Sequence, residues 1–301
     1  MKSAPVRHAG YTIIEVMIFL VITAALLLSV VGLFSGQIQN AEFAQSVQAL
    51  DNKIKSVANE ASTGTYPDSP SFDCTLFLGV PSTNAAQPGT QGSRDPCIFA
   101  GKIINFDVQN AVCNVVTSDS CISLDTYTVV GRRLTNAGQV PTSLLGATGV
   151  APRIIQSPNL TQSYNLGYGT HVSGVYLKLN GSGQPDPTGT VDKTTPLSGL
   201  AFFQSMNASY SGGNLNSSAQ NIETWYVKGA LNPAAPITMA NMNAALVAAV
   251  PGQPSTVQQP IAGTLVVCVT SGGGDKNASI TLGTSNGSSA TEIKIEDPQC
   301  P

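Results

Sequence analysis

The stretch Gly10-Tyr11-Thr12-Ile13-Ile14-Glu15-Val16, continued as MIFLVITAALLLSVVGLF to Phe34, decides how this chain is read. From Val16 to Phe34 there are nineteen residues without a charge, and only Thr23 and Ser29 carry hydroxyls. As a helix rising about 1.5 Å per residue, such a run spans a bilayer core of roughly 30 Å. Lys2 and Arg7 stand before it, which also fits a removable signal peptide. Apolar regions of signal peptides usually run to about 7–15 residues, however, and no convincing A-x-A site follows this one. A retained anchor is therefore expected. The bases before the span place the N-terminus in the cytoplasm and everything after Phe34 outside.

The helical pattern continues past the membrane edge. In residues 35 to 60, apolar side chains fall at Phe43, Val47, Leu50, Ile54 and Val57, a spacing of one stripe on an amphipathic helix. Gly64 and Pro67 supply the stop. The expectation is one helix from about residue 12 to 62, roughly 75 Å long. It is greasy all round from about 16 to 34 and apolar on one face from about 37 to 62. Gly32 and Gly36 lower helix propensity by about 1 kcal/mol each relative to Ala and mark a candidate bend.

These residues closely resemble the type IV prepilin signature: a short basic leader ending in Gly, a bulky first mature residue, a Glu four positions on, then an apolar helix. The resemblance covers about residues 1 to 60. It departs from the usual pattern at Tyr11, where the family usually has Phe, and at Gly32, where many members have Pro nearby. It implies cleavage of the 1–10 leader between Gly10 and Tyr11 by a prepilin peptidase and methylation of the new Tyr11 amine. It further implies passage from the inner membrane, through a platform protein, into an extracellular pilus whose core is a bundle of such helices from other pilin subunits. Adhesion and twitching motility are the activities such filaments serve. Glu15 is the centre of the signature. An unpaired acid deep in a membrane costs roughly 2.5–3.5 kcal/mol, so a partner is expected. The resemblance supplies one in the Tyr11 amine of a neighbouring subunit. The local alternative is a capping box, Thr12-x-x-Glu15, in which the carboxylate returns to the first backbone amides.

Composition bounds the remainder. Charged residues are only 10% of the 301, against about 25% in ordinary soluble domains. The formal charge is -3, with 14 bases and 17 acids; without Lys2 and Arg7 it becomes 12 against 17, or -5. Nothing basic is left to grip nucleic acid. Gly and Pro, 29 and 19 residues, stay below the level of roughly 25–30% that signals disorder.

Residues 66 to 301 read as a β-rich extracellular head with long loops. Candidate strands are 75–80, 97–107, 126–134, 172–180, 199–206, 223–228, 263–270, 278–283 and 292–296. The last two alternate, with Ile280 and Leu282 on one face and Ile293 and Ile295 on another. A short helix is expected over 239–250 and a loop or linker over 180–196, with no internal repeat. The fold class is α+β: a long N-terminal helix packed on an antiparallel β head whose C-terminal hairpin is closed by a disulfide. Cys74, Cys97, Cys113, Cys121, Cys268 and Cys300 all follow the span, on the oxidising side, where an even number favours disulfides. Sequence proximity suggests Cys113 with Cys121 and Cys268 with Cys300, leaving Cys74 with Cys97. The second of these resembles the C-terminal disulfide loop of many pilins. No metal or cofactor site is expected, because the chain has no C-x-x-C and, beyond the leader, only His171.

Catalytic patterns are thin. Gly283-Thr284-Ser285-Asn286-Gly287 fits G-x-S-x-G, yet a nucleophile elbow turns from strand into helix, and here another strand is expected. Gly272-Gly273-Gly274 lacks the Lys and Ser/Thr of a phosphate loop. No enzyme activity is expected. Tyr164, Tyr168, Tyr210, Trp225 and Tyr226 are candidates for a contact surface, with a sheet core as the plainer place for the last two. The readings carried forward are a minor or tip pilin with adhesive function, a main structural pilin, a pseudopilin of a secretion or DNA-uptake machine, and an extracellular hydrolase on an uncleaved anchor.

Overall fold

The computed structural model describes residues 12–64, 70–73, 82–88, 97–106, 123–132, 141, 151–155, 161–194, 197–204, 222–228, 246, 257–258, 264–282 and 291–300. One helix, α1 (Ile13–Thr63), opens it and runs unbroken past Gly32 and Gly36. It stops at Gly64, whose φ of 63° is the left-handed conformation that glycine adopts without a Cβ penalty. By its contacts the chain divides into two units, Met1–Ala44 and Gln45–Pro301, so the division falls inside α1.

In the second unit, β1 (Pro70–Asp73) and β2 (Ser82–Pro88) form a two-stranded ribbon. A larger sheet follows from β3 (Cys97–Asn105), β4 (Ser123–Arg132), β5 (Arg153–Ile155) and β6 (Thr161–Asn165). The chain then enters another sheet with β7 (His171–Leu179) and β8 (Thr190–Val191) and returns to the first with β9 (Leu197–Gln204), β10 (Ile222–Lys228) and β11 (Val257–Gln258). It ends with β12 (Leu265–Thr270), β13 (Asn277–Leu282) and β14 (Thr291–Ile295). The seven-stranded sheet runs β11-β10-β9-β3-β4-β5, with β6 also on β4; the five-stranded sheet runs β14-β13-β12-β7-β8. Every described pairing is antiparallel.

Both faces of the seven-stranded sheet are covered, which explains why its strands read as continuous apolar runs. On one face Ile103, Tyr127, Val129, Ile154, Ala201, Phe203 and Val227 form a core with Leu246, and Trp225 packs against it edge-on to Phe203. The registers Lys102↔Thr128, Lys102↔Phe202 and Thr224↔Phe202 put those residues on the opposite face. That face receives the end of α1, whose Val47, Leu50, Ile54, Val57 and Ala61 are each at most 1% exposed. Lys102 pairs there with Glu60 of the helix, Lys53 bonds Gln162 at 3.3 Å, and the Lys53 ammonium lies 5.9 Å from the Tyr164 ring centroid. Asp51 accepts from Thr291 Oγ1 and pairs with Lys55 at 2.7 Å, tying the same helix to the five-stranded sheet. The apolar stripe legible in the sequence is thus the face that closes the head.

The chain changes sheets at residues 166–170. There Tyr168 and Gly169 both have positive φ, 58° and 65°, and Thr170 N bonds Gly167 O at 3.1 Å, a tight primed turn. Most of the expected strands form with ends shifted by one to three residues; 75–80 lies outside the described residues, as do all of 239–250 except Leu246, which is helical and buried. Two expectations are corrected. The 180–196 segment is not a plain loop: β8 folds back on Lys178 and Leu179 of β7. Ile280 stands opposite Ile293 and Ala278 opposite Ile295, so the isoleucines expected on separate faces share one. The segment that carries β8 also shows a repeat missed in the sequence. Asn180, Asp186 and Asp192, six residues apart, each accept a backbone N–H two residues on with their side chains, from Ser182, Thr188 and Thr194.

Candidate functional site

The sequence places its strongest functional signal at the start of α1. Thr12 is the N-cap, and Glu15 N donates to Thr12 Oγ1 at 3.3 Å. Glu15 Oε2 accepts from Thr12 N at 3.0 Å and from Thr12 Oγ1 at 3.1 Å. The reciprocal pair is a capping box, and the acid also sits at the positive end of the helix dipole. Gly10 and Tyr11 lie outside the described residues.

Between Glu15 and Val30 the helix offers little but hydrocarbon. Ile13–Val30 has a mean hydropathy of 2.7, and none of that window is buried within the chain. Its two hydroxyls are satisfied inside the helix: Thr23 Oγ1 donates to Phe19 O at 2.9 Å and Ser29 Oγ to Ala25 O at 2.8 Å. An apolar phase demands this, since a polar group left unpaired there costs several kcal/mol. The helix is long and apolar enough to cross a membrane, as an anchor or as a signal sequence. Glu15 is the single acid in that window.

The disulfide expected between Cys268 and Cys300 forms, closing a 32-residue separation, worth about 3–4 kcal/mol in the chain-entropy estimate. It pins residues 296–300 beside β13. Asp297, buried in that segment, accepts Ser279 Oγ at 2.6 Å, Gln299 N at 3.1 Å and Lys294 Nζ at 3.3 Å. Burial pushes its carboxyl up, but those hydrogen bonds outweigh it and hold the pKa below the ordinary carboxylate value. The side chains of Cys74, Cys97, Cys113 and Cys121 lie outside the described residues, Cys97 being placed only as the first residue of β3.

The other candidates do not converge. His171 opens β7 opposite Thr270, and desolvation lowers its pKa despite a hydrogen bond at Gly169. Residues 283–287 lie outside the described residues, but their flanks β13 and β14 are antiparallel neighbours, the strand-to-strand context expected there. Gly272-Gly273-Gly274 forms the turn between β12 and β13, with Ser271 N bonded to Lys276 O at 3.0 Å. Tyr226 is buried and Trp225 half-buried, while Tyr168 is 55% exposed and donates to Gln45 Oε1. Tyr210 lies outside the described residues. Among the described residues no group of three or more His, Cys, Asp or Glu is placed to hold a metal ion.

The pairs Asp51 with Thr291 and Glu60 with Lys102 were missed. Their signals were an acid beside the apolar stripe at Leu50 and Ile54 and a Lys inside the apolar run Ile98 to Ile104. No family model, no curated protein and no solved structure matches this chain.

Proposed function

We propose that this chain is a type IV pilin-like prepilin, trimmed after Gly10 and assembled through α1 into an extracellular filament, with the β head outward. The observation that carries the reading is Glu15: the lone acid of the otherwise apolar segment Ile13–Val30 of α1, of which nothing is buried among the described residues. In a passive anchor the acid caps the helix and does no more, whereas in a polymerising helix it also sets a register between subunits. The capping box lowers the cost of holding the acid near lipid before assembly. In the filament the same carboxylate pairs with the Tyr11 amine of a neighbour in a low-dielectric bundle. The size of the head supports a minor or tip pilin with an adhesive role over a minimal repeating subunit.

Mass spectrometry of the mature protein is expected to find a methylated Tyr11 as first residue. Glu15→Ala is expected to insert normally into the membrane and to fall at least tenfold in filament incorporation, read by immunoblot of sheared fibres. An intact Met1 start in cells with active peptidase, or full incorporation of the variant, rejects the proposal.

A further inference from the structure

β14 (Thr291–Ile295) is the edge of the five-stranded sheet, and among the described residues no strand pairs with its outer side. Which of its backbone groups face outward follows from the ladder. Glu296 N bonds Asn277 O at 2.8 Å, and these two are opposite each other in the β13/β14 register. Antiparallel ladders alternate hydrogen-bonded and non-hydrogen-bonded pairs. Glu292 and Lys294 therefore turn their amides and carbonyls toward β13, and Thr291, Ile293 and Ile295 turn theirs outward. The side chains alternate too. Glu292 and Lys294 are exposed, and Ile295 is 46% exposed on the apolar face with Ile293.

The five residues Thr-Glu-Ile-Lys-Ile are complementary to themselves when run antiparallel. With Ile293 opposite Ile293 of a second copy, Glu292 meets Lys294 in both directions and Thr291 meets Ile295. The outward groups of Thr291, Ile293 and Ile295 then oppose one another as hydrogen-bonded pairs, and the charged residues fall at non-hydrogen-bonded positions, where side chains lie closer. One two-fold axis thus satisfies the backbone, the charges and the exposed isoleucine together. A one-residue slip brings Glu292 opposite Ile293 or Ile295 and leaves the charges unmatched.

We propose that β14 joins two copies of this chain through an antiparallel, two-fold edge-to-edge contact, an isologous interface that extends each five-stranded sheet into the other. Lys294 is shared between Asp297 of its own chain at 3.3 Å and Glu292 of the partner. The contact needs neither the apolar part of α1, Ile13–Val30, nor any processing at Gly10, and it leaves the Thr291 hydroxyl on Asp51 of its own chain. In a filament it links heads of different fibres, because a closed two-fold contact does not propagate along a helix of subunits.

The test is a charge exchange on the full-length protein in detergent, with Ile293→Cys as a reporter captured by a short bis-maleimide. The parent carrying only the reporter is expected to give a crosslinked dimer. Adding Glu292→Lys places Lys against Lys, adding Lys294→Glu places Glu against Glu, and each is expected to cut the crosslink at least fivefold. Mixing the two is expected to restore it, as is the double exchange Glu292→Lys/Lys294→Glu. Retained near-UV circular dichroism separates loss of pairing from loss of folding. Absence of the parent crosslink, or single variants that crosslink like the parent, overturns the proposal. So does a mixture that fails to recover while both variants remain folded. Filament assembly through α1 is scored separately by shearing, so either reading can fail alone.

Discussion

At the scale of single residues, the polar groups that matter are those with fixed partners in poor solvent. Asp297 shows this most clearly. It is buried at the C-terminal clamp and takes three hydrogen bonds from Ser279, Gln299 and Lys294. Because its folded pKa lies below the unfolded carboxylate value of about 3.9, the ionised form favours the folded state. That contribution is complete above the unfolded pKa and disappears as pH falls through the folded one. Asp297→Asn is expected to lose about 1–2 kcal/mol at pH 7, and its deficit relative to wild type is expected to shrink as pH drops below about 4. Urea unfolding across pH 2.5–7 checks this, and a deficit independent of pH contradicts it. Glu15 belongs to the same scale, and its local capping by Thr12 was legible because a capping box depends on four consecutive residues.

At the scale of elements, the contact between α1 and the sheets holds the head together. Its apolar part was readable from the spacing of Val47, Leu50, Ile54 and Val57, since helical periodicity is local. Its polar part was not. Glu60 and Lys102 are separated by 42 residues and Asp51 and Thr291 by 240, so no window of sequence contains both partners. Lys102 is buried by its side chain to 4% exposure while Glu60 keeps 31%. Removing the carboxylate leaves the more buried partner uncompensated. Glu60→Gln is expected to cost about 2–3 kcal/mol, and Glu60→Leu/Lys102→Met markedly less than the sum of its single changes. Thermal unfolding of wild type, Glu60→Leu, Lys102→Met and the double variant completes the cycle, with Glu60→Gln measured beside them, and strict additivity contradicts it. Strand legibility followed the same logic. Leu265–Thr270 is buried throughout and reads as a continuous apolar run. The two residues of β8 are strand only because β7 offers them an edge.

At the scale of the whole molecule, the chain carries the apolar segment Ile13–Val30 and a disulfide-closed β head whose interior includes the second half of α1. The window Ile13–Val30, unburied with a mean hydropathy of 2.7, carries apolar area that water penalises at roughly 25 cal/mol per Å². Full-length protein is expected to enter the detergent-rich phase in cloud-point partitioning, and deletion of residues 12–35 is expected to move it to the aqueous phase. Equal partitioning of the two contradicts a membrane-seeking role for the helix. What the sequence determined alone was whatever depends on neighbours along the chain: the apolar span, the capped Glu15, the amphipathic stripe, the stop at Gly64 and the β character of the long apolar runs. Cysteine count pointed to disulfides and proximity along the chain to the pairing of Cys268 with Cys300, which the tertiary structure forms. The folded chain also decided the order of strands in two sheets, the common face of Ile280 and Ile293, the partners of Asp51 and Lys102, and the exposed edge at β14. Those depend on pairing between distant segments, and pairing energy is a property of both partners in register, which no single stretch of chain encodes.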